Sequence, residues 1–348
     1  MAISTTPSIR ISLPSKGRLA EESLAFLESC GFSVYKPNPR QYQATIKGLP
    51  ELTVLFQRPS DIVVSVRDGS VDFGLSGLDV IEERKGSNGD VLILHEALNF
   101  GFCTLALAVP ESWKDVTDIA GLRRTAAGLP HPLRIATKYP VLTGRFLDAI
   151  GIPYTLISAE GTLETAPSIG YADMISDLVS SGQTLRDNRL RQLSDGLIQP
   201  SQAALIANIH SLCNNPQALA IAHYLLETFE AHLRAEGNLA IFANMRGDSP
   251  ESIGHLIFSQ TSIGGLQGPT ISRVIVRELD AASKWFAVNV IVHRSELFRA
   301  VNELRAIGGS GVVVMPVTYI FEEEPPRYKA MLEAIQVAKA GRTVMNPL

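Results

Sequence analysis

The residues best suited to chemistry lie in Ala172-Asp173-Met174-Ile175-Ser176-Asp177-Leu178-Val179-Ser180-Ser181-Gly182-Gln183-Thr184-Leu185. An apolar run carries two acids to a strand edge, and a Ser/Gly/Thr turn then opens the next helix. Such a turn presents backbone N–H groups and hydroxyls to a phosphate, while a neighbouring carboxylate accepts hydrogen bonds from ribose hydroxyls. The pattern suits a phosphorylated sugar; a capped helix start with solvent-facing acids has the same composition. About a helix upstream, Glu160-Gly161-Thr162-Leu163-Glu164-Thr165-Ala166-Pro167 offers Glu164, which either holds ribose, orients the first loop or is an exposed helix acid. A third set is basic: Lys16 and Arg18 share a turn with Ser15 and Gly17, and Arg58 precedes Pro59-Ser60-Asp61. Cations at strand ends beside helix starts suit a diphosphate, since Arg grips two oxygens at once; isolated, each would be a solvated surface charge.

Other chemistries find little support. The sequence has no GxxxxGK[ST], no GxGxxG following a strand and no GxSxG, which argues against a Walker-type site, a dinucleotide fold and a nucleophile elbow. Three scattered cysteines, Cys30, Cys103 and Cys213, and seven histidines without HExxH spacing indicate neither a disulfide framework nor a protein-held metal. A formal charge of -4 gives no bulk attraction to nucleic acid or anionic membrane. No apolar run reaches the ~18 residues of a membrane span. Residues Met1 to Arg10 lack the features of a signal or transit peptide. With 45% hydrophobic and 19% charged residues in 348, the chain is globular and long enough for two or three domains.

The elements that must position these groups read as α/β. Ile9, Ile11 and Leu13 alternate before the Lys16 turn, and Leu24, Leu27 and Cys30 recur at helical spacing after it. Leu52 to Phe56 forms a strand, Ser60 caps a helix holding Ile62, Val63 and Val66, and Val71 to Leu75 is a buried strand leading to Ser76-Gly77 and another helix. This alternation predicts a parallel first lobe. A second lobe begins near Cys103, with strands Thr104–Val109, Leu133–Ala136 and Tyr154–Ile157, a helix closing over Arg145–Ile150, and a loop from Gly121 to Pro132. Gln217 to Arg234 is a long connecting helix. Beyond it, strand Leu239–Asn244, helix Ser249–Phe258, strands Ile271–Val276 and Phe286–Val292, helix Ser295–Ile307 and strand Gly311–Ile320 give βαββαβ, the ferredoxin-like order. In that second helix Ser295 is the expected N-cap, with Leu297, Phe298, Val301 and Leu304 on one face. Met331, Ile335 and Val337 give the tail helical spacing, for packing on a neighbour.

Taken together, Leu13 to Leu19, Phe56 to Ile62, Val71 to Gly77, His95 to Gly101, Leu133 to Pro140, Glu160 to Pro167, Asp173 to Leu185, Asn244 to Gly247, Gly265 to Ser272 and Leu304 to Tyr319 resemble the long form of ATP phosphoribosyltransferase, closest to its plant-type branch or a bacterial relative. The resemblance implies a two-lobed unit like a type II periplasmic binding protein, followed by an ACT-like ferredoxin-like regulatory domain. On that basis residues 1–103 and 196–236 form lobe I with its connecting helix, 104–195 lobe II, 237–324 the regulatory domain and 325–348 a tail. It also implies transfer of phosphoribosyl from phosphoribosyl pyrophosphate to N1 of ATP, the first step of histidine biosynthesis, with substrate-held Mg²⁺, feedback inhibition by histidine and a hexamer built from dimers.

Residue by residue, the resemblance carries Lys16, Arg18 and Arg58 to the pyrophosphate and nucleotide phosphates. It carries Asp177 to the ribose hydroxyls and Ser181, Gly182, Gln183 and Thr184 to the 5-phosphate, with Glu164, Asp173 and Ser180 among the substrate-binding residues. Asp72, Gly74, Gly77 and Tyr139 fall on the nucleotide side, and Asn244, Thr270, Gly309 and Ser310 on the histidine site. The Gly121 to Pro132 loop is longer than in many bacterial members. The implied compartment is plastid stroma for a plant protein or cytoplasm for a bacterial one. A solute-binding or effector module, and a catalytically silent histidine-binding partner, are the rival readings.

Overall fold

The computed structural model describes residues 9–38, 41–158, 163–275 and 284–345, and the counts and absences below refer to these residues. The expected positions Met1 to Ser8, Glu160, Gly161, Thr162 and Val276 lie outside them. Two compact units are formed, Met1–Leu226 with Pro325–Leu348, and Glu227–Glu324.

The first unit opens with β1 (Ile9–Pro14), α1 (Arg18–Ser29), β2 (Val34–Tyr35), β3 (Gln43–Ile46), β4 (Leu49–Gln57), α2 (Pro59–Arg67), β5 (Phe73–Gly77), α3 (Leu78–Arg84) and β6 (Val91–His95). A second layer follows: β7 (Cys103–Pro110), α4 (Ile119–Ala127), β8 (Leu133–Thr137), α5 (Pro140–Ile150), β9 (Tyr154–Ser158), β10 (Met174–Val179), α6 (Gln183–Asp187) and β11 (Leu190–Ser201). The chain then returns through β12 (Ala203–Asn208) to α7 (Ile209–Asn214) and α8 (Pro216–Ala235). One sheet has the order β2-β3-β4-β1-β5-β12-β6, the other β11-β7-β10-β8-β9.

The parallel lobe expected from alternation is only partly parallel. β1 runs parallel to β4 and β5, whereas β12 pairs antiparallel with β5 and β6, and β3 antiparallel with β4. The reason is topological: β12 enters from the second sheet, so it meets β5 from the opposite direction, and the short hairpins at the other edge impose antiparallel pairing. β11 stays in the second sheet through Ser201, so the expected lobe boundary at residue 195 falls inside a strand. The Gly121 to Pro132 loop is corrected too, because α4 occupies its first half. Asp118 caps that helix by accepting from the Gly121 N–H at 2.7 Å, and Leu122 is fully buried. For α2, Arg58 rather than Ser60 is the N-cap residue, since Pro59 supplies a preset first helical position.

The second unit, entered within α8 at Glu227 rather than at residue 237, contains β13 (Asn238–Arg246), α9 (Pro250–Gln260), β14 (Thr270–Arg273), β15 (Trp285–His293), α10 (Leu297–Ala306) and β16 (Ser310–Pro316). Its antiparallel order β14-β15-β13-β16 is the ferredoxin-like arrangement. Ser249 caps α9 through a reciprocal capping box with Ser252. Ser295, by contrast, lies inside a short turn whose N–H is taken by the His293 ring, and Phe298 is 82% exposed rather than part of the buried face. The final helix, α11 (Pro326–Met345), belongs to the first unit. It packs on α7 and β6 of the same chain, burying Met331 and Ile335 while Val337 stays exposed.

Candidate active site

Parallel strands end with their carboxyl termini on one side, and the turns leaving them gather the charged groups there. Gly17, at φ +76°, lets the chain leave β1 and start α1 without a Cβ in the left-handed region, leaving Lys16 exposed in the turn. Arg18, the first residue of α1, donates through Nη2 to the Phe102 carbonyl at 3.0 Å and to Ser180 Oγ at 3.3 Å. One guanidinium thereby joins the first lobe to the start of β7 and to the loop leaving β10.

In that loop Gly182 adopts φ +70° as the residue before α6, where a Cβ would sit 3.1 Å from Arg186 Nη1. Ser181 Oγ accepts from the Gln183 N–H, and Arg186 donates to the Ser181 carbonyl and to Gln183 Oε1, so the turn is held from behind. Thr184 and Gln183 form the first turn of α6. Asp177 lies on β10 opposite Ala106 of β7, one position beyond the Ser176–Thr137 pair that links β10 to β8. Burial lifts its carboxyl above the ordinary carboxylate value; the Leu178 N–H and the charge of Lys138 oppose that lift, and the charge of Glu164 adds to it. Asp177 thus feels the charges of both Lys138 and Glu164.

A cavity of about 500 Å³ opens between the lobes, lined by Arg58, Pro59, Ser60, Val80, Glu83, Arg84, Lys138 and Tyr139. Three cations on its wall make it a place for a polyanion. Its floor is fixed by two buried acids of α3. Asp79 accepts from the Tyr139 hydroxyl at 2.7 Å and from Ser201 Oγ at 2.5 Å. Glu83 accepts from the Val141 and Leu142 N–H groups at 2.9 Å each, capping α5 from the other lobe. Burial first, and the Asp79 charge second, push the Tyr139 phenol upward, so it stays protonated and donating. A second cavity of about 540 Å³ includes Glu96, Phe102, Cys103, Val179, Ser180 and Ser201. There the Cys103 thiol is pushed up to about 11 by burial and by Asp79, so it remains a thiol at neutral pH.

Two acids named from the sequence stand elsewhere. Asp173 precedes β10, at the opposite end from Asp177, and is committed to Arg134, whose backbone N–H and Nη2 donate at 2.8 Å each. Asp72 sits before β5, accepting from the Arg10 N–H at 2.8 Å and from Ser211 Oγ. Neither faces the turns that hold Lys16, Arg18 and Ser180. Gly74 admits the helix above it, for a Cβ there would approach Ile62 to 2.5 Å, and Gly77 makes room for the Asp79 carboxylate at 2.4 Å. These two glycines serve packing and the acid network. Lys138 and Arg84 were not singled out in the sequence, although a Lys just past a strand and before Tyr139-Pro140 was a usable signal. Asp79 and Glu83 look there like the solvated face of a short helix.

In the second unit Asn244 and Ser310 face each other across β13 and β16, with Ser310 Oγ donating to the Asn244 carbonyl at 3.2 Å. Gly309 holds the turn after α10 through its N–H to the Leu304 carbonyl at 2.7 Å. Thr270 is not brought to them: it pairs with Asn289 on the far side of β15 and borders a cavity of about 220 Å³.

The family described as "ATP phosphoribosyltransferase" matches residues 58–230, and "HisG, C-terminal domain" matches residues 235–319. The chain is similar to "ATP phosphoribosyltransferase 2, chloroplastic" of Arabidopsis thaliana, 44% identical over 331 residues that span 93% of this chain and 80% of that one. It is 42% identical over 336 residues to "ATP phosphoribosyltransferase 1, chloroplastic" of the same plant, spanning 94% and 81%. The "ATP phosphoribosyltransferase" of Brucella ovis is 42% identical over 207 residues, 58% of this chain and 90% of its own. Among solved structures, "ATP phosphoribosyl transferase (HisG:HisZ) complex from Thermotoga maritima" overlaps 64% of this chain and 98% of its own, at a TM-score of 0.49 and 24% identity.

Proposed function

The chain belongs to the ATP phosphoribosyltransferase family, and we propose that its first unit carries out the reaction between the two lobes with Lys16, Arg18, Arg58, Asp177 and the Ser180 to Thr184 turn as its working groups. N1 of the ATP adenine attacks C1 of phosphoribosyl pyrophosphate; the N–C bond forms as the C–O bond to pyrophosphate breaks, and the electron pair leaves with pyrophosphate. The attacking nitrogen already carries a lone pair, so the chemistry asks little of a general base. Charge growing on the leaving group is what needs help, and fixed guanidinium and ammonium groups supply it.

The observation that carries this reading is the Arg18 bridge to Ser180 Oγ and the Phe102 carbonyl, which puts a first-lobe cation against the turn expected to take the 5-phosphate. Lys138 and Arg84 join Arg58 on the wall of the neighbouring cavity, which suits the ATP phosphates. Asp177 accepts from the ribose hydroxyls, and Glu164 supports it. Mg²⁺ is proposed to arrive on substrate oxygens and to keep water as its other ligands, the binding mode usual for this cation beside phosphates. When bound with the substrate, Mg²⁺ neutralises charge on the pyrophosphate.

For the second unit we infer histidine binding on the sheet bearing Asn244, Thr270 and Ser310, with feedback inhibition and a hexamer built from dimers as its setting. Thr270 stands apart from the other two, so a site using all three extends across the outer sheet face. No helix of the described residues is long and apolar enough to cross a membrane. The two plant relatives are named chloroplastic, and the plastid stroma or a bacterial cytoplasm is the proposed setting here.

The test is formation of phosphoribosyl-ATP from ATP, phosphoribosyl pyrophosphate and Mg²⁺, with and without histidine. Product that falls on adding histidine is expected. Product indifferent to histidine removes the regulatory reading alone, and no product from a folded sample removes the catalytic one.

A further inference from the structure

The first unit is completed from the far end of the chain. α11 begins two residues after Glu324, the last residue of the second unit, and lies beyond both matched family regions. Its first turn bears Arg327, whose Nε and Nη2 donate to Glu96 Oε2 and Oε1 at 3.1 and 2.6 Å. Tyr328 stacks on His223 with ring centroids 4.1 Å apart, and Met331 and Ile335 are buried behind it, so the guanidinium is presented from an anchored helix. Glu96 lies on the wall of the 540 Å³ cavity that also takes in Ser180 and Phe102, both hydrogen-bond partners of Arg18. Its side chain is 56% exposed, open toward that space.

A bare carboxylate on this wall opposes a polyanion. We propose that Arg327 is a positioning residue for the reaction, masking the Glu96 carboxylate so that the cavity beside Ser180 accepts the anionic phosphoribosyl pyrophosphate. The two-pronged geometry matters, because one guanidinium engages both Glu96 oxygens and so offsets the charge that this carboxylate carries on the cavity wall. The same pairing holds the Glu96 carboxyl down to about 2, so the acid is charged at every working pH and its masking is needed throughout. The inference rests on the reading above that this cavity takes the phosphoribosyl substrate.

The experiment is steady-state kinetics on the full chain with Arg327→Ala, Glu96→Gln and the double variant, at about 50 mM and about 500 mM salt. Arg327→Ala is expected to raise KM for phosphoribosyl pyrophosphate roughly three- to tenfold with kcat nearly unchanged, the size of one uncompensated charge acting on a multiply charged anion through hydrated space. The rise shrinks at high salt, and adding Glu96→Gln restores KM to within about twofold of wild type. Loss of an α11 contact acting only through structure would show neither the salt dependence nor the rescue. Unmoved kinetics in Arg327→Ala, a defect that Glu96→Gln leaves in place, or Glu96→Gln alone raising KM overturns the inference. Glu96→Gln keeps the helix in place, so that arm decides even if Arg327→Ala fails to fold. A wild-type chain without activity would instead take down the functional reading on which this one stands.

Discussion

Glu83 is the sharpest test of how the two lobes are joined. It is 7% exposed, and each of its oxygens takes one of the free N–H groups at the start of α5, Val141 and Leu142, with Pro140 at the position before them. Glu83→Gln keeps the shape and replaces one acceptor by an NH₂ that faces a donor. One charge-assisted hydrogen bond is lost, about 1.5–3 kcal/mol, and a buried donor is left without an acceptor, about 1–3 kcal/mol. The helix-end interaction weakens by up to ~2 kcal/mol. Burying a neutral amide instead of a carboxylate recovers a few kcal/mol, leaving a net loss of about 2–4 kcal/mol. At roughly 2–4 °C per kcal/mol for a unit of this size, the apparent Tm should fall by roughly 4–16 °C. Differential scanning calorimetry reads it directly, with Glu82→Gln as the control: Glu82 sits on the same helix but pairs only with Lys85 at 2.7 Å, worth about 0–1 kcal/mol. A Glu83→Gln shift no larger than that of the control would refute the idea that this acid joins the lobes. The kinetic counterpart is a higher KM for ATP, because Lys138 and Tyr139 stand immediately before the capped helix.

Further outcomes follow from the same geometry. Arg18→Ala should lower kcat on the order of 10²-fold, measured as phosphoribosyl-ATP formed, and full turnover would remove Arg18 from the leaving group. Asp177→Asn should weaken phosphoribosyl pyrophosphate binding far more than histidine binding by calorimetry; equal losses would indicate misfolding. Because burial raises the Asp177 carboxyl, its ionised form works against the fold above its own pKa, so the same variant should raise Tm at neutral pH, and a lower Tm contradicts this. Asp173 has the opposite sign: burial would lift its carboxyl, but hydrogen bonds and charge from Arg134, with His131, prevail and hold it below its ordinary 3.8. The stability it lends is complete above that value and is lost as pH falls through the lowered one. Asp173→Asn should therefore flatten the fall in Tm below about pH 4, and an unchanged acid limb would show the Arg134 pair to be without effect.

Much of the machinery was legible because it is local. The Lys16 to Arg18 turn and the Asp177 to Thr184 turn each declare themselves by a glycine with positive φ, a strand before and a helix after, all within a dozen residues. The alternation of β13 and β15 was readable for the same reason, because period is a property of neighbouring residues. The errors fall where a distant partner decides. Asp173 and Asp177 look alike in sequence, yet four residues of strand carry them to opposite ends of a sheet, one to Arg134 and the other to Lys138. Asp72 was drawn toward the nucleotide by its motif and proved to be tied to Arg10 and Ser211.

By itself, then, the sequence determined most of the strands and helices, the ferredoxin-like order of the second unit and the positions of the two glycine turns at Gly17 and Gly182. Tertiary structure alone decided that Asp79 and Glu83 are buried between lobes, that β12 returns antiparallel to the first sheet, and that Arg327 comes back across 231 positions to Glu96. The physical reason is that a side chain's charge and shape are written in its own residue, whereas its burial and its hydrogen-bond partner belong to whatever the fold sets beside it.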